Sequence, residues 1–266
     1  MESINALLRD GDARESVEAT DRYRAPALDK GLDILELLAV QKEGLTRTEI
    51  TKKLGRNSSE IYRMLERLVA RHYVTRSLSG DRYTLSLKLF VLAHLQPPLS
   101  RLTAEALPLM QRFADDAEQS CHLSVYERGD LLVIAHADGP GPWGVSMRPG
   151  SRIGLADTAP GRVMLSFQGA ERRAQMLAEH RAINGDAPLN EQELAHACQS
   201  IRHAGFLRRN NDQTSGVTDL SVPLLGASGH AIAVITCPYV GRIDSQSASS
   251  IDATIERLCQ TGRLFS

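Results

Sequence analysis

Long apolar stretches are missing from this 266-residue chain. The strongest, Ala231-Ile232-Ala233-Val234-Ile235, falls far short of the roughly 18–20 residues that a membrane-spanning helix requires. Cysteine is scarce too: Cys121, Cys198, Cys237 and Cys259 are widely spaced, with no CxxC and no histidine at zinc-finger spacing. That pattern excludes a disulfide framework or a structural zinc and fits a reducing compartment. An excess of one charge is also absent, since 31 Lys+Arg face 32 Asp+Glu for a net charge of -1. Residues 1–24 mix acids and bases around no apolar core, so they predict a flexible tail without a secretory signal, and the chain is expected in the cytoplasm. What is present is ordinary: 42% hydrophobic residues and enough length for two domains or one large one.

The near-zero total hides a segregation of charge. Between residues 41 and 90 eleven bases face five acids, a net of +6, and the remainder carries -7. A basic module joined to an acidic one is the footprint of a nucleic-acid reader coupled to something else.

The basic stretch has a definite grammar. Leu28, Leu32, Leu35, Leu38 and Ala39 recur at helical steps, predicting a first helix over about 27–40 that Gly44 follows. Thr46 with Glu49 three residues on is a capping box for a second helix, closed by Gly55. Asn57-Ser58-Ser59-Glu60 repeats the cap chemistry, and Ile61, Met64, Leu65 and Leu68 stripe a third helix to about Arg71. Two β-prone runs, Tyr73–Arg76 and Arg82–Leu85, flank a Ser-Leu-Ser-Gly-Asp turn. Three helices, a tight link and a hairpin make the order of a winged helix-turn-helix. A short apolar helix through Leu87, Phe90, Val91 and Leu95 then reaches Pro97-Pro98, where the domain boundary is placed.

The rest reads as mixed α and β. A helix over about 99–117 precedes strands at Cys121–Tyr126, Leu131–Ala137 and Trp143–Met147. Helices follow at about 160–168, 170–180 and 190–204, then strands at Thr218–Leu225 and His230–Tyr239, and a helix from Asp244 to about Thr261. An antiparallel sheet flanked by helices, an α+β ligand-binding shape, fits this order.

If Ile61, Leu65 and Leu68 face inward, Ser59, Glu60, Tyr62, Arg63 and Arg67 lie on or near the outer face of the third helix. Such a helix meets base edges with its N-terminal turns, so Arg63 is placed to clamp a guanine and Tyr62 to contact a base or phosphate. Arg47, Arg56, Ser58 and Ser59 sit near helix N-termini and suit phosphate positioning, as do Arg76 and Arg82 on the wing. Taken alone, the charges make a solvated face with Glu60–Arg63 and Glu66–Arg63 pairs; the caps, turn and wing together favour DNA.

The chain resembles the IclR-type bacterial transcriptional regulators from about Ala25 onward. The carriers are Gly31-Leu32-Asp33-Ile34-Leu35, Leu45 to Ile50, Ile61-Tyr62-Arg63-Met64-Leu65, Tyr73-Val74, Tyr83-Thr84-Leu85, Gly150 to Leu165, and His203-Ala204-Gly205-Phe206 to Pro223. The resemblance implies a winged helix-turn-helix over 25–86, a linker helix over 87–98 and a GAF-like effector-binding domain over 99–266. It further implies a dimer or tetramer on a palindromic operator near catabolic genes, a small carboxylate or aromatic effector, and most commonly repression released by that effector, activation being the alternative. Departures are Glu60 for a frequent threonine, Arg162 for lysine, Asp157 for histidine, and Asp219 at the position of a frequent pocket cysteine.

An effector pocket is then expected between the Ala159-Pro160-Gly161 turn, whose helix-start amides suit an anion, and the strands bearing Asp219, Ser221, Thr236 and Cys237, with Trp143 and Met147 as apolar walls. Enzymes are the rival class. Cys121 and His122 are strand neighbours pointing to opposite faces, so they make a poor catalytic couple. His196 and His203 share a helix face from which Cys198 is well rotated, which disfavours a metal site. No hydrolase, metalloprotease or nucleotide-binding motif appears, and no metal, cofactor or membrane partner is expected. A winged helix used purely for protein contacts is the second rival.

Overall fold

A computed structural model of the chain describes residues 25–141, 144–180, 191–241 and 249–265. Two compact units, Met1–Pro97 and Pro98–Ser266, make up the chain. The expected tail over 1–24 lies outside the described residues.

In the first unit, α1 (Pro26–Ala39) begins with proline at its start and buries Ile34 and Leu38, one turn apart. Two-residue β1 (Leu45–Thr46) leads into α2 (Arg47–Leu54) through the expected capping box: Thr46 N–H donates to Glu49 Oε2 at 2.7 Å, and Glu49 N–H to Thr46 Oγ1 at 3.2 Å. Gly55 ends α2 in the left-handed region, φ 60°, where a side chain is strained. The third helix, α3 (Ser58–Ala70), is capped by Asn57, whose Oδ1 accepts from Ser59 N–H at 2.9 Å. The cap chemistry does not repeat in full, because the Glu60 carboxylate pairs with Lys30 of α1 at 3.1 Å.

Ile61 and Leu65 of α3 complete a core with Ile34, Leu38, Leu45, Ile50, Val74 and Tyr83, while Leu68 packs on its edge. The wing is β2 (Val74–Arg76) and β3 (Arg82–Leu85), with β1 added on the far side of β3. Sequence pattern did not show β1, since two residues carry no periodicity. The short α4 (Lys88–His94) buries none of its side chains.

Proline plays a different part at 97–98 than expected. The pair opens α5 (Pro97–Ala117), where the missing amide would have no intrahelical partner anyway.

In the second unit six antiparallel strands run in the order β6-β5-β4-β9-β8-β7: β4 (Cys121–Glu127), β5 (Asp130–Ala137), β6 (Arg152–Gly154), β7 (Leu207–Asn210), β8 (Val217–Leu225) and β9 (Ala231–Val240). One face packs on α5 and on α9 (Ile251–Leu264), burying Cys121, Leu123, Leu220, Val222, Ile235 and Cys237 against Met110, Phe113 and Leu258. The other meets α6 (Ala159–Ser166), α7 (Ala170–Glu179) and α8 (Glu191–Ala204), burying Leu131, Val133 and Val234 against Val163, Met176, Leu194 and Cys198. A bulge between Leu123 and Ser124 leaves Ile134 extra in β5, and Ile134 and Ala135 both pack on the α5 side.

The expected strand over Trp143–Met147 is corrected: Trp143 lies outside the described residues and 144–147 form no strand. The edge strand beside β5 is β6, anchored where Arg152 Nε donates to Asp130 at 3.0 Å. The last helix starts later than expected, at Ile251, with Ser250 Oγ as its cap; residues 242–248 are outside the described ones.

Candidate nucleic-acid interface and ligand site

Burial of Ile61 and Leu65 turns Tyr62, Arg63 and Arg67 outward, and all three are exposed. Arg63 and Arg67 have no ion-pair partner among the described residues, so the anticipated pairs with Glu60 and Glu66 are not made. Arg47, on the first turn of α2, lays its guanidinium 5.5 Å from the centroid of the Tyr62 ring, an attraction of about 0.5–1 kcal/mol at an exposed site. Ser58 and Ser59 are exposed at the start of α3.

Three other predicted contacts are held within the unit. Arg56 pairs with Asp33 of α1 at 3.2 Å. Arg82 donates to the Gly44 carbonyl at 2.5 Å and lies 3.9 Å from Glu49. Arg76 donates to the Gly80 carbonyl and lies over the Tyr83 ring. Their charge remains on the wing and the α2–α3 turn, but their geometry is set by the fold. Glu60 is likewise tied to Lys30.

The second unit carries a polar patch on the sheet face that α6, α7 and α8 cover. Alternation along each strand assigns its members. On β4, Cys121, Leu123 and Val125 pack towards α5, so His122 and Ser124 point the other way. Thr236 of β9 pairs with His122 in register, and Ser221 of β8 pairs with Thr236. Asp219, two residues before Ser221, shares that face and pairs in register with Arg209 of β7. All five patch residues, His122, Ser124, Ser221, Thr236 and Asp219, are buried. The apolar layer of Leu131, Val133 and Val234 occupies the neighbouring part of this face.

Most of the patch is internally bonded. Ser221 and Thr236 share a hydroxyl–hydroxyl bond of 2.9 Å, and Ser124 Oγ donates to the Val234 carbonyl at 3.4 Å. Asp219 accepts from Asn211 Nδ2 at 2.9 Å, and burial pushes its carboxyl above the usual 3.8. Arg209 donates to the Asp157 carbonyl at 2.6 Å and pairs with Asp212. His122 is different: both ring nitrogens are buried without a hydrogen-bond partner in the protein. Burial, with a smaller contribution from His136, pushes its pKa down to about 4, so it is neutral at physiological pH.

Several expected pocket residues are placed elsewhere. Cys237 lies in the opposite layer, packed with Cys121, Leu220 and Leu258, because it is the strand neighbour of Thr236. The Ala159-Pro160-Gly161 turn is buried but has few amides to offer an anion: Gly161 N–H donates to Thr158 Oγ1 at 3.2 Å, Arg162 N–H to the Thr158 carbonyl, and Pro160 has none. Gly161 serves close packing instead, since a Cβ there would lie 2.0 Å from the Leu155 carbonyl oxygen. Met147 is half-buried against the apolar layer under α6. Sequence reading missed His122 and Ser124, although the alternation of Cys121, Leu123 and Val125 already implied their face.

Among the described residues no group of histidine, cysteine and acidic side chains is arranged to hold a metal, and no helix is long and apolar enough to cross a membrane. Cys198 is buried while His196 and His203 are exposed.

Comparison with known proteins matches residues 27–77 to the IclR helix-turn-helix domain and residues 99–263 to the bacterial transcriptional regulator IclR C-terminal domain. The HTH-type transcriptional regulator BhcR of Paracoccus denitrificans is 27% identical over 242 residues, 90% of this chain and 86% of the relative. The Pca regulon regulatory protein of Pseudomonas putida is 25% identical, over 82% of this chain and 75% of its own length. The fold is shared with the crystal structure of an IclR homolog complexed with 4-hydroxybenzoate from Microbacterium hydrocarbonoxydans. That structure has a TM-score of 0.71 at 20% identity, covering 90% of this chain and 97% of the other.

Proposed function

The chain belongs to the IclR family of bacterial transcriptional regulators, and we propose that it represses a catabolic operon in the cytoplasm and leaves its operator when a small metabolite binds. Its relatives are regulators of transcription, not enzymes. The observation that carries the DNA half of the proposal is the exposed row of Tyr62, Arg63 and Arg67 on α3, with Arg63 and Arg67 in no ion pair among the described residues and the opposite face of the helix packed into the core. Arg63 reads a base edge, Tyr62 and Arg67 contact base or backbone, and Arg47, Ser58 and Ser59 position phosphates at helix N-termini. Arg56, Arg76 and Arg82 add positive field from fixed positions.

Residues 25–86 act as the reader, 87–98 as the linker helix and 99–266 as a GAF-like sensor whose site is the polar patch around Asp219, Ser221 and Thr236. A carboxylate or aromatic compound is the class of effector, a reading supported by the 4-hydroxybenzoate complex of the Microbacterium homolog.

A second copy of the chain covers the exposed apolar side chains Leu89, Phe90, Val91 and Leu92 of α4, together with Leu28 and Leu32 of α1. Two recognition helices related by a two-fold axis then match a palindromic operator. DNase footprinting upstream of the neighbouring operon tests this reading. A two-fold symmetric protected stretch, weakened by a metabolite of that pathway, is expected; absence of any protected stretch overturns it.

A further inference from the structure

His122 is the one patch residue whose polar atoms the protein leaves without a partner. It sits on β4 between β5 and β9, opposite His136 on one side and Thr236 on the other. A histidine kept dry at such a position is poorer packing than a leucine, because its two ring nitrogens give up water and gain no bond. Beside it lie the hydroxyls of Ser124, Thr236 and Ser221, on the same face and equally buried. An unpartnered donor–acceptor ring next to three hydroxyls is what a site needs to recognise a group that both gives and takes a hydrogen bond.

The charges around it narrow the class of that group. From β5, His136 faces Asp138 at 3.4 Å; from β7, Arg209 is taken by the Asp157 carbonyl and Asp212. From β8 comes the Asp219 carboxyl, bonded to Asn211. His136 and Arg209 are both already taken by partners, so neither is free to receive an anionic head at the His122 end of the patch. A neutral imidazole has one nitrogen that donates and one that accepts, matching a hydroxyl.

We propose that His122 is an effector-binding residue that reads a hydroxyl group, a phenol or an alcohol, on a small ligand lying against Ser124, Ser221 and Thr236. This rests on the sensor reading of the second unit. Any carboxylate on the ligand points away from His122. Discrimination between a hydroxylated ligand and its deoxy analogue then depends on this one side chain, because a site built to bond a hydroxyl is left unpaired by the analogue.

Isothermal titration calorimetry on the full chain tests the inference with the probe pairs 4-hydroxybenzoate and benzoate, and lactate and propionate. The hydroxylated member of at least one pair is expected to bind at least tenfold more tightly than its analogue. His122→Leu, close in volume and apolar, is expected to abolish that preference without lowering thermal stability, and His122→Asn to restore part of it. Preference retained in His122→Leu overturns the assignment of His122 while leaving the sensor reading intact. Failure of every probe to bind the wild type contradicts the sensor reading itself, and the inference falls with it. Loss of binding in His122→Leu accompanied by a lower melting temperature than wild type assigns His122 to the fold and also overturns the proposal.

Discussion

The Arg47 guanidinium lies over the Tyr62 ring, 5.5 Å from its centroid, and so joins the first turn of α2 to the first turns of α3. This contact ties the proposed phosphate-positioning group to the proposed base-facing one. Removing the ring therefore does more than delete a contact to DNA, because it also frees Arg47. Tyr62→Ala is expected to weaken DNA binding more than Arg47→Ala, and the double variant to lose less than the sum of the two. Fluorescence anisotropy on a fragment spanning the footprint measures all three; full additivity would show that the stacking has no part in binding.

Arg67 lies one turn beyond Arg63 and is expected to meet the backbone and not the bases. Arg67→Ala should weaken binding to specific and unrelated duplexes alike, and should lower the magnitude of the log K against log salt slope by about 1. A salt titration at several concentrations gives the slope. An unchanged slope removes Arg67 from the phosphate contacts.

Buried neutral His122 makes the second unit sensitive to acid. Its folded pKa of about 4 lies below the ordinary 6.5, so between those values the unfolded chain holds the proton and stability falls as pH falls. Across that window the loss is on the order of 3 kcal/mol. Asp219 has the opposite sign, because its raised carboxyl pKa lets the folded chain hold a proton longer, so stability falls as pH rises above 3.8. Urea unfolding of wild type and His122→Leu from pH 4 to 7 separates the two. The variant is expected to gain on wild type steadily below pH 6.5, and parallel curves would contradict the burial of a neutral ring.

Gly161 is fixed by space. Alanine there would place a methyl group 2.0 Å from the Leu155 carbonyl oxygen, and backbone cannot yield as a side-chain tip does. Gly161→Ala is expected to destabilise the second unit by more than about 2 kcal/mol, read by chemical denaturation. A change under about 0.5 kcal/mol would mean that the start of α6 is looser than described.

The exposed apolar side of α4 makes oligomeric state testable. Phe90, 61% exposed on a helix that buries nothing, is expected to be covered by a second copy. Phe90→Glu should shift sedimentation velocity towards the monomer. A variant that sediments as wild type would place the contact elsewhere.

Legibility in the sequence followed length and periodicity. α1 offers several turns of apolar spacing, α2 a capping box and a closing glycine, and α3 both a cap and an apolar stripe, and the structure places them within a residue or two of expectation. β1, β6 and β7 have two to four residues each. Tertiary contacts define them, β7 for example by pairing Arg209 with Asp219, and such pairing leaves no local pattern. At the candidate ligand site, alternation puts Cys237 and its neighbour Thr236 on opposite faces and sets His122 on the face of Thr236, away from Cys121. The partners of Arg56 and Arg82, Asp33 and the Gly44 carbonyl, are 23 and 38 residues away in sequence, so local spacing does not show that these cations are held.

Whether α3 reads DNA sequence is decided by a gel-retention assay with Arg63→Ala on the footprinted fragment. A loss of about 5- to 150-fold in specific binding is expected, the worth of one bidentate base contact at about 1–3 kcal/mol, with the oligomeric state unchanged. Specific retention equal to wild type would contradict it.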